Sequence, residues 1–130
     1  MASNPSFTST PRYAQATVST ANTARDGTGT IVSIITGVTA GTKIFEVITQ
    51  ATVTTTAGMV RLFISSDSGS TWKLFDEVSI AAATVSGTVK GNRVSTTYAN
   101  LILPNSSHQL GASTHNAESI HVIALGGDLT

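Results

Sequence analysis

The chain reads as an all-β protein, a single-domain antiparallel β-sandwich of jelly-roll type with an extended N-terminal arm. Three observations predict this. Short Val/Ile/Thr runs alternate apolar and polar residues with a period of two. Gly, Asn, Asp and Pro separate those runs at roughly 8–12-residue intervals, the spacing of sandwiches and barrels. No longer stretch carries the apolar period of about 3.6 residues that marks an amphipathic helix.

Residues 1–11 hold Pro5 and Pro11 among Ser, Thr and Asn. Such a segment is expected to lie extended as an arm, with Phe7 as its apolar anchor. The sandwich is then assigned to residues 12–130. Residues 13–20 alternate weakly and give the first strand. Asp26-Gly27 and Gly29 turn the chain before residues 30–36, a β-branched run containing Ile31, Val32, Ile34 and Ile35. Gly37 and Ala40-Gly41 end that run. Residues 43–53 alternate well, with Phe45, Val47, Thr49, Ala51 and Val53 on one face. Residues 59–65 put Val60, Leu62 and Ile64 on one side and Arg61 on the other. Residues 72–80 do the same with Trp72, Leu74, Val78 and Ile80. Residues 81–90 read as a loop with a short strand. Residues 94–103, 108–114 and 120–125 complete a set of eight or nine strands. The period predicts a core of Ile34, Phe45, Val47, Val60, Leu62, Ile64, Leu74, Val78, Leu101, Leu103, Val122 and Ala124.

Composition narrows the function. Of 130 residues, 22 are Thr and 16 are Ser, while 14 are Asp, Glu, Lys or Arg. Charged residues make up 11 %, against roughly 25 % in an ordinary soluble domain. Catalysis, metal binding and nucleic-acid binding draw on the scarce groups, so the chain is expected to be no enzyme and to bind no cofactor or nucleic acid. A net charge of zero favours self-association. With no Cys, no disulfide or thiolate metal site is possible. No signal peptide is expected from the N-terminal residues, and no membrane partner, since no apolar run approaches the ~18 residues of a span.

The motifs point the same way. Ser65-Ser66-Asp67-Ser68-Gly69-Ser70-Thr71-Trp72 fits S-x-D-x-G-x-T-W and resembles the Asp box of sialidases and other β-propellers. A single copy in 130 residues predicts a tight hairpin. Asp67 would accept loop N–H groups, Gly69 would supply an unusual φ, and Trp72 would pack beneath. His108, His115 and His121 have neither helical nor zinc-finger spacing, so no metal site is assigned. Adjacent Asp76 and Glu77 point to opposite faces of a strand and do not make an acid/base pair. Catalytic residues are expected to be absent. Arg12, Arg25 and Arg93 are candidates for salt bridges between subunits, because a guanidinium binds a carboxylate through two parallel bonds.

Three segments, taken in order, carry a wider resemblance. They are residues 7–11 with 19–30 (TANTARDGTGT at its centre), residues 60–64 with 74–78, and residues 101–105 with the ending VIALGGD at 122–128. This order resembles small β-sandwich virion structural proteins of tailed bacteriophages. The resemblance implies a capsid decoration or cement protein on the outer surface of the head. It implies the major capsid protein as partner and a homotrimer as the oligomer. A tail, baseplate or fibre component is the alternative within the virion, and a carbohydrate-binding module the alternative outside it. Phe7, Arg12 and Arg25 are the expected interface residues, since they lie on the arm and the first turn, outside the predicted core.

Overall fold

The computed structural model describes residues 8–129. Eight strands form: β1 (Thr10–Val18), β2 (Val32–Thr36), β3 (Thr42–Ala51), β4 (Gly58–Ser65), β5 (Lys73–Ile80), β6 (Arg93–Leu103), β7 (Gln109–Thr114) and β8 (Ile120–Asp128). They pair into two antiparallel four-stranded sheets, β1-β8-β3-β6 and β2-β7-β4-β5. Each sheet draws alternately from the two halves of the chain, which is the jelly-roll arrangement of two interlocked Greek keys. The expected ninth strand in residues 81–90 is a loop, held to the body by a bridge between Ala83 and Thr55, by the Thr55 hydroxyl donating to the Ala81 carbonyl and by the Val85 N–H donating to the Thr54 hydroxyl.

Between the sheets lies the core expected from the alternation. Val47, Val60, Leu62, Leu103, Val122 and Ala124 are essentially inaccessible, and Ile34, Val78 and Leu101 are buried beside them. Ile44, Leu110, Ala112 and Ile120 join this core and were not expected there. Three expected core residues are not buried: Phe45 is 41 % exposed, and Ile64 and Leu74 are half-buried.

Phe45 is displaced by a β-bulge. The register of β3 against both β6 and β8 shifts between Ile44 and Glu46. Thr42 and Ile44 therefore face inward before the bulge, and Val47, Thr49 and Ala51 after it. An extra residue re-aims a side chain because the pleat alternates strictly. A second irregularity, between Leu62 and Phe63, skips Phe75 on β5. Asp76 then stands opposite Leu62, and Leu74 opposite Phe63, which takes Leu74 out of the core row.

β1 begins two residues inside the expected arm. Thr10 and Pro11 pair with Asp128 and Gly127. Pro11 has no N–H to give a ladder, and it is tolerated because β1 is an edge strand. Residues 1–7 of the expected arm, Phe7 included, lie outside the described residues.

Candidate interaction surface

The two outer faces of the sandwich differ. That of β2-β7-β4-β5 is covered by the β1–β2 connection, residues 19–31, which lies across it as a strap. Ala21 bridges to Thr114, and the Asn22 N–H donates to the Thr114 carbonyl at 2.8 Å. The Asn22 side chain holds the strap together. Its Nδ2 donates to the Thr28 and Thr30 carbonyls, both at 3.0 Å, and its Oδ1 accepts the Ala24 N–H. Asp26 Oδ1 accepts from the Thr28 hydroxyl at 2.6 Å, which, with the Thr28 N–H, holds its carboxyl below the usual carboxylate range. Gly27 lies against the Trp72 carbonyl, where a side chain would have no room.

Under the strap is a second apolar layer. Phe63 is fully buried although it points away from the main core. Its neighbour across the ladder is Gly111. A Cβ on Gly111 would stand 2.7 Å from the Trp72 ring and 2.8 Å from Ile31, so the absence of a side chain there lets both residues lie on the sheet. An ionic knot closes the layer. Glu77 accepts from Arg61 Nε at 2.9 Å and from Arg25 at 2.7 Å, and Arg61 Nη1 lies 3.3 Å from His115 Nδ1. Arg61 is only 6 % exposed, so Glu77 is the carboxylate that makes its burial tolerable.

The S-x-D-x-G-x-T-W stretch forms the expected hairpin. Asp67 Oδ1 accepts the Thr71 N–H and the Ser65 hydroxyl, both at 2.8 Å, and Oδ2 accepts the Thr71 hydroxyl at 2.6 Å. Gly69 takes φ 89°, with Ser68 at 61° before it. The three bonds, led by the Thr71 hydroxyl, lower the Asp67 carboxyl to about 2. A folded value below the unfolded one stabilises the hairpin above the usual carboxylate range, and that stability is lost as pH falls toward 2. Asp67→Asn should therefore flatten the acid limb of unfolding between about pH 4 and pH 2, and a thermal midpoint that tracks wild type through that window would contradict this.

The outer face of β1-β8-β3-β6 is open. Outward residues follow from the register: Tyr13, Gln15 and Thr17 on β1, His121, Ile123 and Leu125 on β8, Lys43, Glu46, Ile48 and Gln50 on β3, and Arg93, Ser95, Thr97 and Ile102 on β6. Phe45 joins them at the bulge, with Lys43 Nζ 5.7 Å from its ring centre. Tyr13 is 62 % exposed and Ile102 45 %. Ile48, Ile123 and Leu125 are half-buried on the two central strands. Polar residues lie among them on every strand: Gln15 and Thr17 on β1, His121 on β8, Lys43, Glu46 and Gln50 on β3, and Arg93, Ser95 and Thr97 on β6.

The sequence-predicted sites are dispersed. Arg12 pairs with Asp128 at 2.8 Å and donates to the Thr36 carbonyl at 3.2 Å, tying β1 to the start of the β2–β3 turn. Arg25 is spent on Glu77, and its side chain remains 63 % exposed. Arg93 stands outward on β6. His108 sits in the β6–β7 turn against Asn105, His115 beside Arg61 after β7, and His121 on the other sheet. Asp76 and Glu77 do face opposite ways. Asp76 accepts the Tyr98 hydroxyl at 2.8 Å, and burial first, then that bond, push the phenol above its usual range. Among the described residues no group of three or more His, Asp or Glu could hold a metal ion, and no helix is long and apolar enough to cross a membrane.

Periodicity alone hides the open face, because it places Phe45 in the core. One signal for it is present: residues 122–125, Val-Ile-Ala-Leu, are apolar on both faces of a strand.

No family model and no curated protein matches this chain. Solved structures do. A chain in the T13 particle of infectious bursal disease virus is 11 % identical, with a TM-score of 0.39, over 93 % of this chain and 32 % of that one. Chains of the Gt and Gx strains of the virus are 14 % and 12 % identical over 93 % of this chain, each with a TM-score of 0.37. This chain spans about a third of the length of the chains it matches. The jelly roll itself is read from the strand order and not from this likeness.

Proposed function

We propose that this protein is a structural component of a virion, a decoration or cement protein of a tailed bacteriophage. In this reading it binds the major capsid protein on the outer surface of the assembled head, acts as a homo-oligomer, a trimer by the resemblance, and catalyses nothing. The observation that carries the proposal is the open face of β1-β8-β3-β6, which presents six exposed or half-buried apolar side chains on a charge-poor domain. An antiparallel sheet with one solvated side ordinarily shows polar residues there. Tyr13, Phe45, Ile48, Ile102, Ile123 and Leu125 in that position mark a surface made for contact. The strand order agrees by analogy of fold, since jelly rolls serve viral capsids, though also lectins and cupins.

The chemistry of the charged groups supports a mechanical role. Asp26 and Asp67 hold loops, Glu77 neutralises two arginines, Asp128 takes Arg12 and the Thr42 hydroxyl, and Asp76 holds Tyr98. Each carboxylate is engaged in maintaining shape. A protein that binds only the assembled shell stabilises it by mass action. Particles carrying this chain should release their DNA at a higher temperature than particles lacking it. Equal release temperatures would refute the cement reading.

A further inference from the structure

The zero net charge of the chain conceals an uneven distribution over its two sheets. The β2-β7-β4-β5 sheet, with its strap and the hairpin at Asp67, carries the cations Arg25, Arg61 and Lys73. It sets four carboxylates against them, Asp26, Asp67, Asp76 and Glu77. The open face has the reverse balance, Lys43 and Arg93 against Glu46. The remaining charges are one of each sign at the β1–β8 edge, Arg12 and Asp128, and one of each in the connections, Lys90 and Glu118. The carboxylates are also committed. All seven accept hydrogen bonds from the chain itself, Glu46 from the Ser95 hydroxyl and Glu118 from Thr56. Among the described residues no carboxylate makes an ion pair with Lys43 or Arg93, and Lys43 rests over the Phe45 ring instead. The positive charge that this protein leaves unpaired on a sheet surface therefore gathers on the open face.

The two cations stand at opposite ends of the face. Lys43 is opposite Ile102 and Arg93 opposite Gln50, seven positions further along β3, which separates them by about 20 Å at about 3.3 Å per residue. Between them lie the apolar Ile48, Ile123 and Leu125. We propose that the shell surface this face fits is acidic, an apolar strip flanked by carboxylates about 20 Å apart that meet Lys43 and Arg93. This rests on the shell-binding reading and names the chemistry of the partner in it. Burying the face against a neutral or basic surface would desolvate both cations without a counter-charge. Glu46 needs no cation from the partner, because Ser95 already donates to it. A nucleic acid suits the face less well. Its charges recur every few ångströms and call for dense Lys and Arg, and the face holds two such residues, far apart.

The test is the association rate of the full chain with immobilised particles that lack it, measured across a range of NaCl concentrations. Wild type should bind about tenfold more slowly in high salt than in low salt, as screening of complementary charges requires. Arg93→Glu and Lys43→Glu should each slow association several-fold in low salt, and the double variant should lose the salt dependence. Lys73→Glu makes the same change in net charge on the other sheet and should leave the rate near wild type. Glu46→Gln removes the one negative charge of the face and should speed association. Far-UV circular dichroism and Trp72 emission like wild type would show that the variants fold. Rates that ignore salt, equal slowing by Lys73→Glu and Arg93→Glu, or faster binding on charge reversal at position 43 or 93 would overturn the acidic partner alone, with shell binding intact. Retention of wild type but not of Arg93→Glu on duplex DNA would overturn it in favour of a nucleic acid. Wild type that binds no particles in any salt would refute shell binding itself, and the acidic partner with it.

Discussion

Glu77→Ala should lower folding stability by about 3 kcal/mol, the usual cost of removing one partner from a buried ion pair. The cause is Arg61, whose guanidinium is 6 % exposed and whose Nε would lose its only carboxylate. His115 Nδ1 at 3.3 Å would remain, and it offers no negative charge. Arg25→Ala removes the other partner of the same carboxylate, but that side chain is 63 % exposed. Exposed pairs contribute roughly 0–1 kcal/mol, so this variant should unfold close to wild type. The contrast is the informative part, and urea unfolding of both variants measures it. Equal losses for the two would mean that strap closure, and not the buried guanidinium, sets the energy.

Gly111→Val should cost about 2 kcal/mol, within the range for overpacking a tight site. The new Cβ would stand 2.7 Å from the Trp72 ring and 2.8 Å from Ile31. Neither can stay where it is, because Phe63 fills the next position and Gly27 backs onto the Trp72 carbonyl. The strap should therefore lift and wet Trp72, the only tryptophan. A red-shifted emission together with the stability loss is the expected pair of results. Unchanged emission at wild-type stability would show that the second apolar layer is looser than these contacts imply.

The two layers were unequally legible in the sequence. Alternation located most of the strands and nine of the twelve expected core residues, because burial on one face imposes a period of two. It failed at Phe45 and Leu74, each beside a register shift, since a bulge inverts the alternation without leaving a Gly or Pro to mark it. The jelly-roll order is a matter of which strands pair across long sequence distances. Periodicity carries no such information, and the expectation rested on strand number and resemblance. The hairpin at Asp67 was legible because its bonds are local, spanning four residues or fewer. TANTARDGTGT was legible as a distinctive string but not as a strap. Its internal bonds at Asn22 and Asp26 are local, whereas its anchors, Thr114, Glu77 and Trp72, lie far away in the chain. Arg12 and Arg25 were expected at interfaces because long-range intrachain partners such as Asp128 and Glu77 cannot be seen from sequence spacing.

The proposed role is tested most directly by counting this chain in purified virions, using quantitative mass spectrometry against the major capsid protein. A decoration protein on the head should be present in hundreds of copies, at a fixed ratio to the capsid protein, and should cross-link to it. A handful of copies cross-linked to tail proteins, or no copies in washed particles, would contradict the account.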